Sequence, residues 1–128
     1  MIYADDDNNI HCTRGDSTET LDNPLEFCFE DKDGNPFEFT AGQIAVFKVF
    51  NPKNVNEVVI QKEIEIEETC TSVFVPLTEE DTSFGDPINK PVTYAYEFSI
   101  DDNSTLIGLD TDQQPKFILL PEGGDKND

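Results

Sequence analysis

The single histidine, His11, is a candidate for catalysis or metal binding. A catalytic triad would have to use it as the base, but the sequence identifies no nucleophile to accompany it. A zinc site would need His11 together with the cysteines, which are Cys12, Cys28 and Cys70. His11 and Cys12 are adjacent in an alternating segment, so they point to opposite faces of a strand. The sequence therefore predicts neither a triad nor a zinc site.

Acidic residues suggest a calcium loop at residues 31–35. Asp31, Asp33 and Asn35 begin like an EF-hand, but Gly34 falls at the fourth position, where that loop needs glycine at the sixth. A tight hairpin explains these residues better. A second oxygen-rich cluster is a candidate for weak Ca²⁺ binding, with solvated turn acids as the default interpretation; it comprises Asp101, Asp102, Asn103, Asp110 and Asp112.

No pair of carboxylates lies in an apolar sequence setting that would shift its pKa toward acid–base catalysis. We also find no glycine-rich loop for phosphate. We therefore predict no catalytic residue, no cofactor and no metal ion. The sequence does not identify the partner-binding residues.

Arg14-Gly15-Asp16 spells a well-known cell-adhesion tripeptide. Three residues are a weak match, and nothing else in the sequence is typical of an extracellular animal protein. We interpret the motif as a bend at the start of the first strand of the main fold, where Gly15 allows close approach of the backbone.

The charge of the chain excludes several classes of partner. There are 28 acidic and 8 basic residues, a formal net charge of −20. Nucleic-acid binding needs lysine and arginine to replace the counterions on phosphates, so we exclude DNA and RNA as direct partners. Anionic membranes are disfavoured for the same reason. The charge indicates solubility first and docking onto a basic partner second.

The cysteine count and the N-terminus indicate the compartment. Three cysteines are a poor disulfide framework, and Asp5, Asp6 and Asp7 follow the first residues where a signal peptide would be apolar. No stretch approaches the roughly 20 apolar residues of a membrane helix. We expect synthesis and folding in a reducing cytoplasm.

Most of the chain alternates apolar and polar residues with a period of two, which indicates strands that bury one face. Leu25, Phe27 and Phe29 point one way and their neighbours the other. Residues 44–50 are apolar on both faces, which is typical of a central strand. The ten phenylalanines suit the interior between two facing sheets.

Residues 58–67 also alternate, and the side chains predicted to face inward are Val58, Ile60, Ile64 and Ile66. Lys62 falls on that same face and indicates the rim or an edge of the sheet. The next inward set is Val73, Val75 and Leu77. Pro76 lacks a donor, so this strand lies at an edge or ends there. Thr78 and Asp81 resemble a capping box and predict one helical turn.

Together these elements predict an all-β fold, an immunoglobulin-like antiparallel β-sandwich of seven to eight strands. Later strands are expected at residues 92–100, 105–109 and 117–120, with a hairpin turn at residues 101–104. The predicted domain covers residues 10–121. Residues 1–9 are expected to be a flexible N-terminal arm that orders on docking, and residues 122–128 a polar C-terminal tail.

The order of the motifs resembles the N-terminal β-sandwich of tail baseplate upper proteins in phages of Gram-positive bacteria. The matching pieces, in chain order, are Arg14-Gly15-Asp16-Ser17, Asp33-Gly34-Asn35-Pro36, Phe37-Glu38-Phe39-Thr40, Ala45-Val46-Phe47-Lys48-Val49-Phe50, Leu77-Thr78-Glu79-Glu80-Asp81-Thr82 and Tyr94-Ala95-Tyr96. Each piece is common strand or turn chemistry, and the ordered set over residues 13–120 carries the resemblance.

The resemblance implies a non-enzymatic virion structural protein of the tail baseplate or neck, made in the cytoplasm of the host bacterium. Its partners would be other virion proteins in multiple symmetric copies, contacted through loops and through edges such as residues 73–77. The alternatives are a capsid decoration or head-fibre protein, and an acidic inhibitor of a host enzyme that mimics nucleic acid. A carbohydrate-binding module is disfavoured because the chain has no tryptophan.

Overall fold

The computed structural model describes residues 1–18, 25–101, 104–107 and 115–122. This part of the chain confirms the predicted all-β class, since it contains nine strands and one helical turn. The strands are β1 Ile2–Ala4, β2 Ile10–Thr13, β3 Glu26–Phe27, β4 Ile44–Asn51, β5 Asn54–Glu65, β6 Val73–Phe74, β7 Val92–Ile100, β8 Ser104–Ile107 and β9 Lys116–Leu120. The helical turn is α1, Glu79–Thr82.

Seven of these strands form one mixed sheet, in which neighbours run β1-β2-β9-β7-β4-β5 and β8 pairs with β7. The prediction that every strand pair is antiparallel is wrong at one place, because β2 runs parallel to β9 and sets Ile10 beside Phe117. The hairpin of β1 and β2 leaves the other side of β2 open for the last strand. Ile10 and Cys12 then enter the same core as Phe117 and Leu119.

The second sheet pairs β3 with β6 and lies across the core from the large sheet. The ring of Phe27 on β3 lies 5.7 Å from the ring of Phe47 on β4 and 5.0 Å from that of Phe98 on β7, centroid to centroid. The residues predicted to face inward around the small sheet are buried: Leu25, Phe27, Val73, Val75 and Leu77. Two layers of strands thus enclose a core rich in aromatic rings.

The prediction of a central strand at residues 44–50 is confirmed by β4, which lies between β5 and β7. Phe47 and Val49 point into the core and are fully buried. Val46 and Phe50, on the opposite face, are only 1% and 5% exposed. Both faces of β4 are therefore covered, as the continuous apolar run indicated.

The strict alternation predicted for residues 58–67 is wrong at Val58. Val49 pairs with Ile60, whereas the next residue, Phe50, pairs with Val58, so the strand carries a bulge around Val59. A bulge inserts one residue and reverses the direction of the side chains beyond it. Val58 therefore faces outward and is 41% exposed. Lys62 lies on the inner face of β5, and β5 is the terminal strand of the sheet path, which confirms the predicted edge.

Residues 1–9 do not lie outside the large sheet as a separate arm, so the predicted domain boundary at residue 10 needs correction. Ile2–Ala4 forms strand β1, paired with β2, and Ile2 is only 3% exposed. The hydroxyl of Tyr96 donates a hydrogen bond of 2.6 Å to the carbonyl of Asn8. Burial raises the pKa of Tyr96, which keeps this hydroxyl protonated as a donor. The burial of Ile2 and the hydrogen bond from Tyr96 to Asn8 hold residues 1–9 against the large sheet.

The acidic segment at residues 31–35 is a tight hairpin loop, which confirms the turn prediction. The Asp31 carboxylate accepts hydrogen bonds from the backbone N–H groups of Asp33 and Asn35, at 2.9 and 3.0 Å. Gly34 has φ +82°, a left-handed conformation that favours glycine. The carboxylate oxygen that an EF-hand would offer to calcium is thus bonded to the loop's own backbone.

The loop between β1 and β2 repeats this arrangement. The Asp5 carboxylate accepts hydrogen bonds from the N–H groups of Asp7 and Asn9, at 2.9 and 3.0 Å. Asn8, with φ +64°, takes the position that Gly34 holds in the other loop. The shared pattern is Asp-x-Asp, then Gly or Asn, then Asn. This pattern could have predicted the first hairpin from the sequence, because asparagine tolerates the left-handed region of backbone conformation.

At the C-terminal end, β7 and β8 form the predicted hairpin, with Ile100 paired to Ser104. β8 and β9 both pair with β7 on the side away from β4. Residues 108–109 of the predicted strand lie outside the described residues, as do residues 123–128 of the predicted tail. Glu122 belongs to the folded part of the chain, since its carboxylate contacts Arg14.

Candidate functional site

His11 lies on the outer face of the large sheet, next to the first hairpin. Its ring stacks on Tyr3, with centroids 4.6 Å apart, and its Nε2 lies 2.8 Å from the Asp5 carboxylate. This hydrogen bond, together with the bond from the Asn9 N–H, holds the pKa of Asp5 below its ordinary value. The arrangement joins β1, the hairpin and β2, and Tyr3 is 42% exposed.

The cysteines do not converge on His11. Cys12 points into the core, on the opposite face of β2, and burial raises the pKa of its thiol to about 12. Cys28 is exposed, and Cys70 is partly buried beside Phe39. Within the described residues, no three His, Cys, Asp or Glu side chains form a group that could hold a metal ion.

The possible calcium cluster is represented by Asp101 alone, because Asp102, Asn103, Asp110 and Asp112 lie outside the described residues. Asp101 has φ +52°, and its carboxylate accepts a hydrogen bond of 2.8 Å from the N–H of Ile44. Asp101, which directly follows β7, therefore binds the first residue of β4 through its carboxylate.

Arg14 is engaged within the fold rather than displayed for adhesion. Its side chain is only 12% exposed. Nη2 donates hydrogen bonds of 2.7 Å to the carbonyls of both Ser83 and Gly85, and Nη1 lies 3.5 Å from the Glu122 carboxylate. The bend occurs after β2, not before the first strand as predicted, because β1 and β2 precede it. Arg14 thus clamps the segment after α1 and the end of β9.

The residues after Arg14 join the bend to α1. The N–H of Gly15 donates to the carbonyl of Thr82 at 3.4 Å, and the Thr82 hydroxyl donates to the carbonyl of Asp16 at 2.7 Å. Thr18 and Leu77 exchange backbone and side-chain hydrogen bonds nearby. Two motifs that are distant in sequence, residues 14–17 and 77–82, therefore form one hydrogen-bonded joint.

Asp81 connects α1 to the edge of the large sheet. Its carboxylate accepts hydrogen bonds of 2.9 Å from the N–H of Thr78 and from Nζ of Lys62, and the Thr78 hydroxyl accepts from the N–H of Asp81. The predicted capping box is confirmed. Burial opposes ionisation of Asp81, but these hydrogen bonds outweigh it and the pKa of Asp81 lies below its ordinary value. Lys62 thereby satisfies its charge on an otherwise apolar face.

One shallow groove, which we call the face groove, lies on the outer surface of β4, β5, β7 and β8 and has a volume of about 500 Å³. Its walls include Lys48, Phe50, Val55, Val58, Glu97 and Thr105. Val55 is 55% exposed and Val58 is 41% exposed. The bulge in β5 creates this groove, because it turns Val58 outward.

A second groove, which we call the edge groove, lies where the chain passes from β5 to β6 and has a volume of about 370 Å³. Its apolar lining comprises Ile64, Ile66, Cys70, Val73 and Phe74. Its acidic residues are Glu65, Glu67 and Glu68. Phe74 is 52% exposed, an unusual position for a phenylalanine. The sequence indicated the strand edge here but not the groove, which needs both sheets in place.

Comparison of the chain with protein-family models, with curated proteins and with solved structures gave no match. The one helix in the described ranges, α1, is a four-residue turn, and no helix there is long and apolar enough to cross a membrane. The function is therefore inferred from the residues and surfaces described above.

Proposed function

We propose that the protein is a non-enzymatic structural component of a bacteriophage virion, located in the tail baseplate or neck, which acts through protein–protein contacts. The observation that carries this proposal is a pair of open strand edges flanking an apolar groove. β5 ends the path of the large sheet, and β6 pairs with β3 alone among the described strands. Such edges are surfaces that other chains can pair with.

The strand order supports an immunoglobulin-like fold for this module. Variable-type immunoglobulin sheets place strands G, F, C and C′ side by side, and strands B and E face them. Here β9, β7, β4 and β5 take the first set of positions, and β3 and β6 take the second. The chain order of these strands agrees with B, C, C′, E, F and G. Proteins of this architecture often present edges and loops to partners.

The resemblance to the phage baseplate domain provides the virion part of the proposal. Residues 14–17 and 77–82, two of the motifs that carry it, are hydrogen-bonded to each other in one joint. Because the two motifs bind each other through hydrogen bonds, a fold that contains one of them has a physical reason to contain the other. The net charge of −20 argues against packaged nucleic acid as the contact, which favours protein surfaces of the particle.

Purified particles test this proposal. Phage particles from cells that make the chain are banded by density, and the chain is quantified by mass spectrometry before and after a second banding. We expect a constant copy number that is a whole multiple of the rotational symmetry of the particle, because virion components repeat around such axes. Loss of the chain into the particle-free fraction would remove the virion proposal. A copy number in the hundreds would support capsid decoration instead.

The charge of the chain favours a second candidate, an acidic inhibitor that mimics nucleic acid. There are 28 acidic and 8 basic residues, and Glu65, Glu67 and Glu68 lie together at one edge. Such an inhibitor would compete with DNA for a host enzyme with a basic channel. Capture experiments in a host lysate, eluted with duplex DNA, would detect it. An eluate without DNA-binding enzymes would remove this candidate.

A further inference from the structure

We infer that the edge groove binds an extended segment of a partner protein, in which apolar and basic residues alternate, and that this segment adds as a strand beside β6. The inference rests on the proposed function as a protein-binding module and specifies the surface and the chemistry of its partner. Within the described residues, the small sheet has two strands and the large sheet has seven. The groove lies at the place where a third strand of the small sheet would cover the core.

The backbone of β6 is oriented to accept this strand. The N–H of Val75 donates to the carbonyl of Leu25 at 2.9 Å, and Val73 pairs with Phe27. In an antiparallel pair, successive residues direct their N–H and C=O groups to alternate sides. The N–H and C=O of Phe74 therefore point away from β3, toward the open edge. Pro76, which lacks an N–H, limits the added strand at one end.

The side chains of the groove select an alternating segment. Ile64 and Cys70 are partly buried and Val73 is buried, so the floor is apolar, while Phe74 offers a ring that is 52% exposed. Every second residue of an extended strand points to the same face. Such a segment would bury alternate apolar residues in the groove and direct the others to its rim.

The charge at the rim of the groove determines which residues the partner segment needs at the positions that point to the rim. Glu65, Glu67 and Glu68 are exposed at the groove, and the nearest base on β5, Lys62, already binds Asp81 at 2.9 Å. Lysine or arginine at alternate positions would pair with these carboxylates. A second copy of this chain is a poor occupant, because its own net charge is −20.

The experiment uses the full chain and three synthetic ten-residue peptides with blocked ends. The first alternates valine and lysine, the second has the same composition with its lysines and valines in separate blocks, and the third alternates valine and glutamate. Because an acidic protein attracts any cationic peptide, the block peptide is the control for net charge. We expect the alternating valine–lysine peptide to bind at least tenfold more tightly than either control. Equal binding of the two cationic peptides, or binding of none, would overturn the inference.

Two pairs of variants locate the site. Phe74→Thr removes the exposed ring, and Val55→Thr makes a similar change in the face groove. The double variant Glu67→Lys, Glu68→Lys reverses charge at the groove, and Asp6→Lys, Asp7→Lys does so at the opposite edge of the sheet. We expect the two groove variants to weaken binding at least tenfold and the two controls less than threefold. Equal losses in the groove and control variants would overturn the assignment.

Hydrogen exchange measured by NMR distinguishes strand addition from looser contact. Addition beside β6 would protect the amide of Phe74, whereas the amide of Val75 already donates to Leu25 in the free protein. We expect Phe74 exchange to slow at least tenfold with saturating valine–lysine peptide. Unchanged exchange would overturn strand addition. These measurements use isolated protein, so their failure would leave the virion assignment to be decided by the particle experiment.

Discussion

At the scale of single residues, Asp81 shows how one carboxylate can connect two parts of a fold, the helical turn α1 and the edge strand β5. It caps α1 through Thr78 and neutralises Lys62 on the inner face of β5. The sequence predicted the capping box from the spacing of Thr78 and Asp81, because that spacing is local. It also placed Lys62 on the inner face, but not its partner, because that pairing depends on how α1 packs against the sheet.

We predict that Asp81→Ala lowers the free energy of unfolding by about 1–3 kcal/mol, since it removes the partner of Lys62 and an acceptor for the Thr78 N–H. The pKa of Asp81 is lowered in the folded protein, so its stabilisation is complete above the unfolded pKa and is lost as the pH falls through the folded pKa. Urea unfolding at pH 7 and near pH 3 measures both effects.

Asp86→Ala is the matched control, because Asp86 is exposed in the loop after α1. We expect this variant to change the free energy of unfolding by less than about 0.5 kcal/mol at pH 7. The difference between wild type and Asp81→Ala should narrow toward pH 3. A difference that grows on acidification would contradict the charge pairing of Asp81.

Arg14 gives a second test at this scale. Replacement by lysine keeps the charge but leaves one ammonium in place of two nitrogens, of which Nη2 donates to the carbonyls of Ser83 and Gly85 and Nη1 lies beside the Glu122 carboxylate. We predict that Arg14→Lys costs about 1.5–3 kcal/mol of unfolding free energy. Lys53→Arg, an exchange of the same two residue types at an exposed site, should be nearly neutral. Equal stability of both variants in urea titrations would show that Arg14 is not a structural clamp.

At the scale of elements, the alternation of apolar and polar residues predicted most of the inward faces, because a strand that buries one face has an apolar residue at every second position. Phe27, Val73 and Leu77 were assigned correctly in this way. The bulge at Val59 was not predicted, because one extra residue in a strand leaves no distinctive residue type in the sequence. The parallel pairing of β2 with β9 was missed because it joins opposite ends of the chain.

Strand β1 was also missed, because three acids follow it and the arm has few apolar residues. Ile2 is nevertheless only 3% exposed, so we predict that Ile2→Ala lowers the free energy of unfolding by about 2–5 kcal/mol. Val55→Ala, at a site that is 55% exposed, is the control. Thermal and urea unfolding measure both variants. If Ile2→Ala were no more costly than the control, residues 1–9 would behave as the flexible arm predicted from sequence.

At the scale of the whole molecule, the net charge follows directly from the composition, whereas the edge groove could not be predicted from the sequence. The acids at the groove are contiguous in sequence, but the apolar floor is assembled from β5, β6 and the segment between them. A surface of this kind appears only when two sheets are packed. Composition therefore predicted which classes of partner to exclude, whereas the fold was needed to identify a surface where a partner could bind.

The net charge of −20 should also limit the stability of the isolated protein. Like charges repel more strongly in the compact state, and salt screens them over a Debye length of about 10 Å at 0.1 M. We predict that raising NaCl from low concentration to about 0.5 M increases the midpoint of urea unfolding. KCl should act equally, which would distinguish screening from binding of a specific ion. A midpoint that falls with either salt would contradict dominant self-repulsion.

Antibody labelling of purified phage particles, viewed by electron microscopy, tests the virion assignment most directly. The antibody should be raised against the folded chain, and particles lacking the chain serve as the control. We predict label at regular positions on the tail tip or the neck. Label spread over the head would assign the chain to capsid decoration instead, and particles without label would contradict a role in the virion.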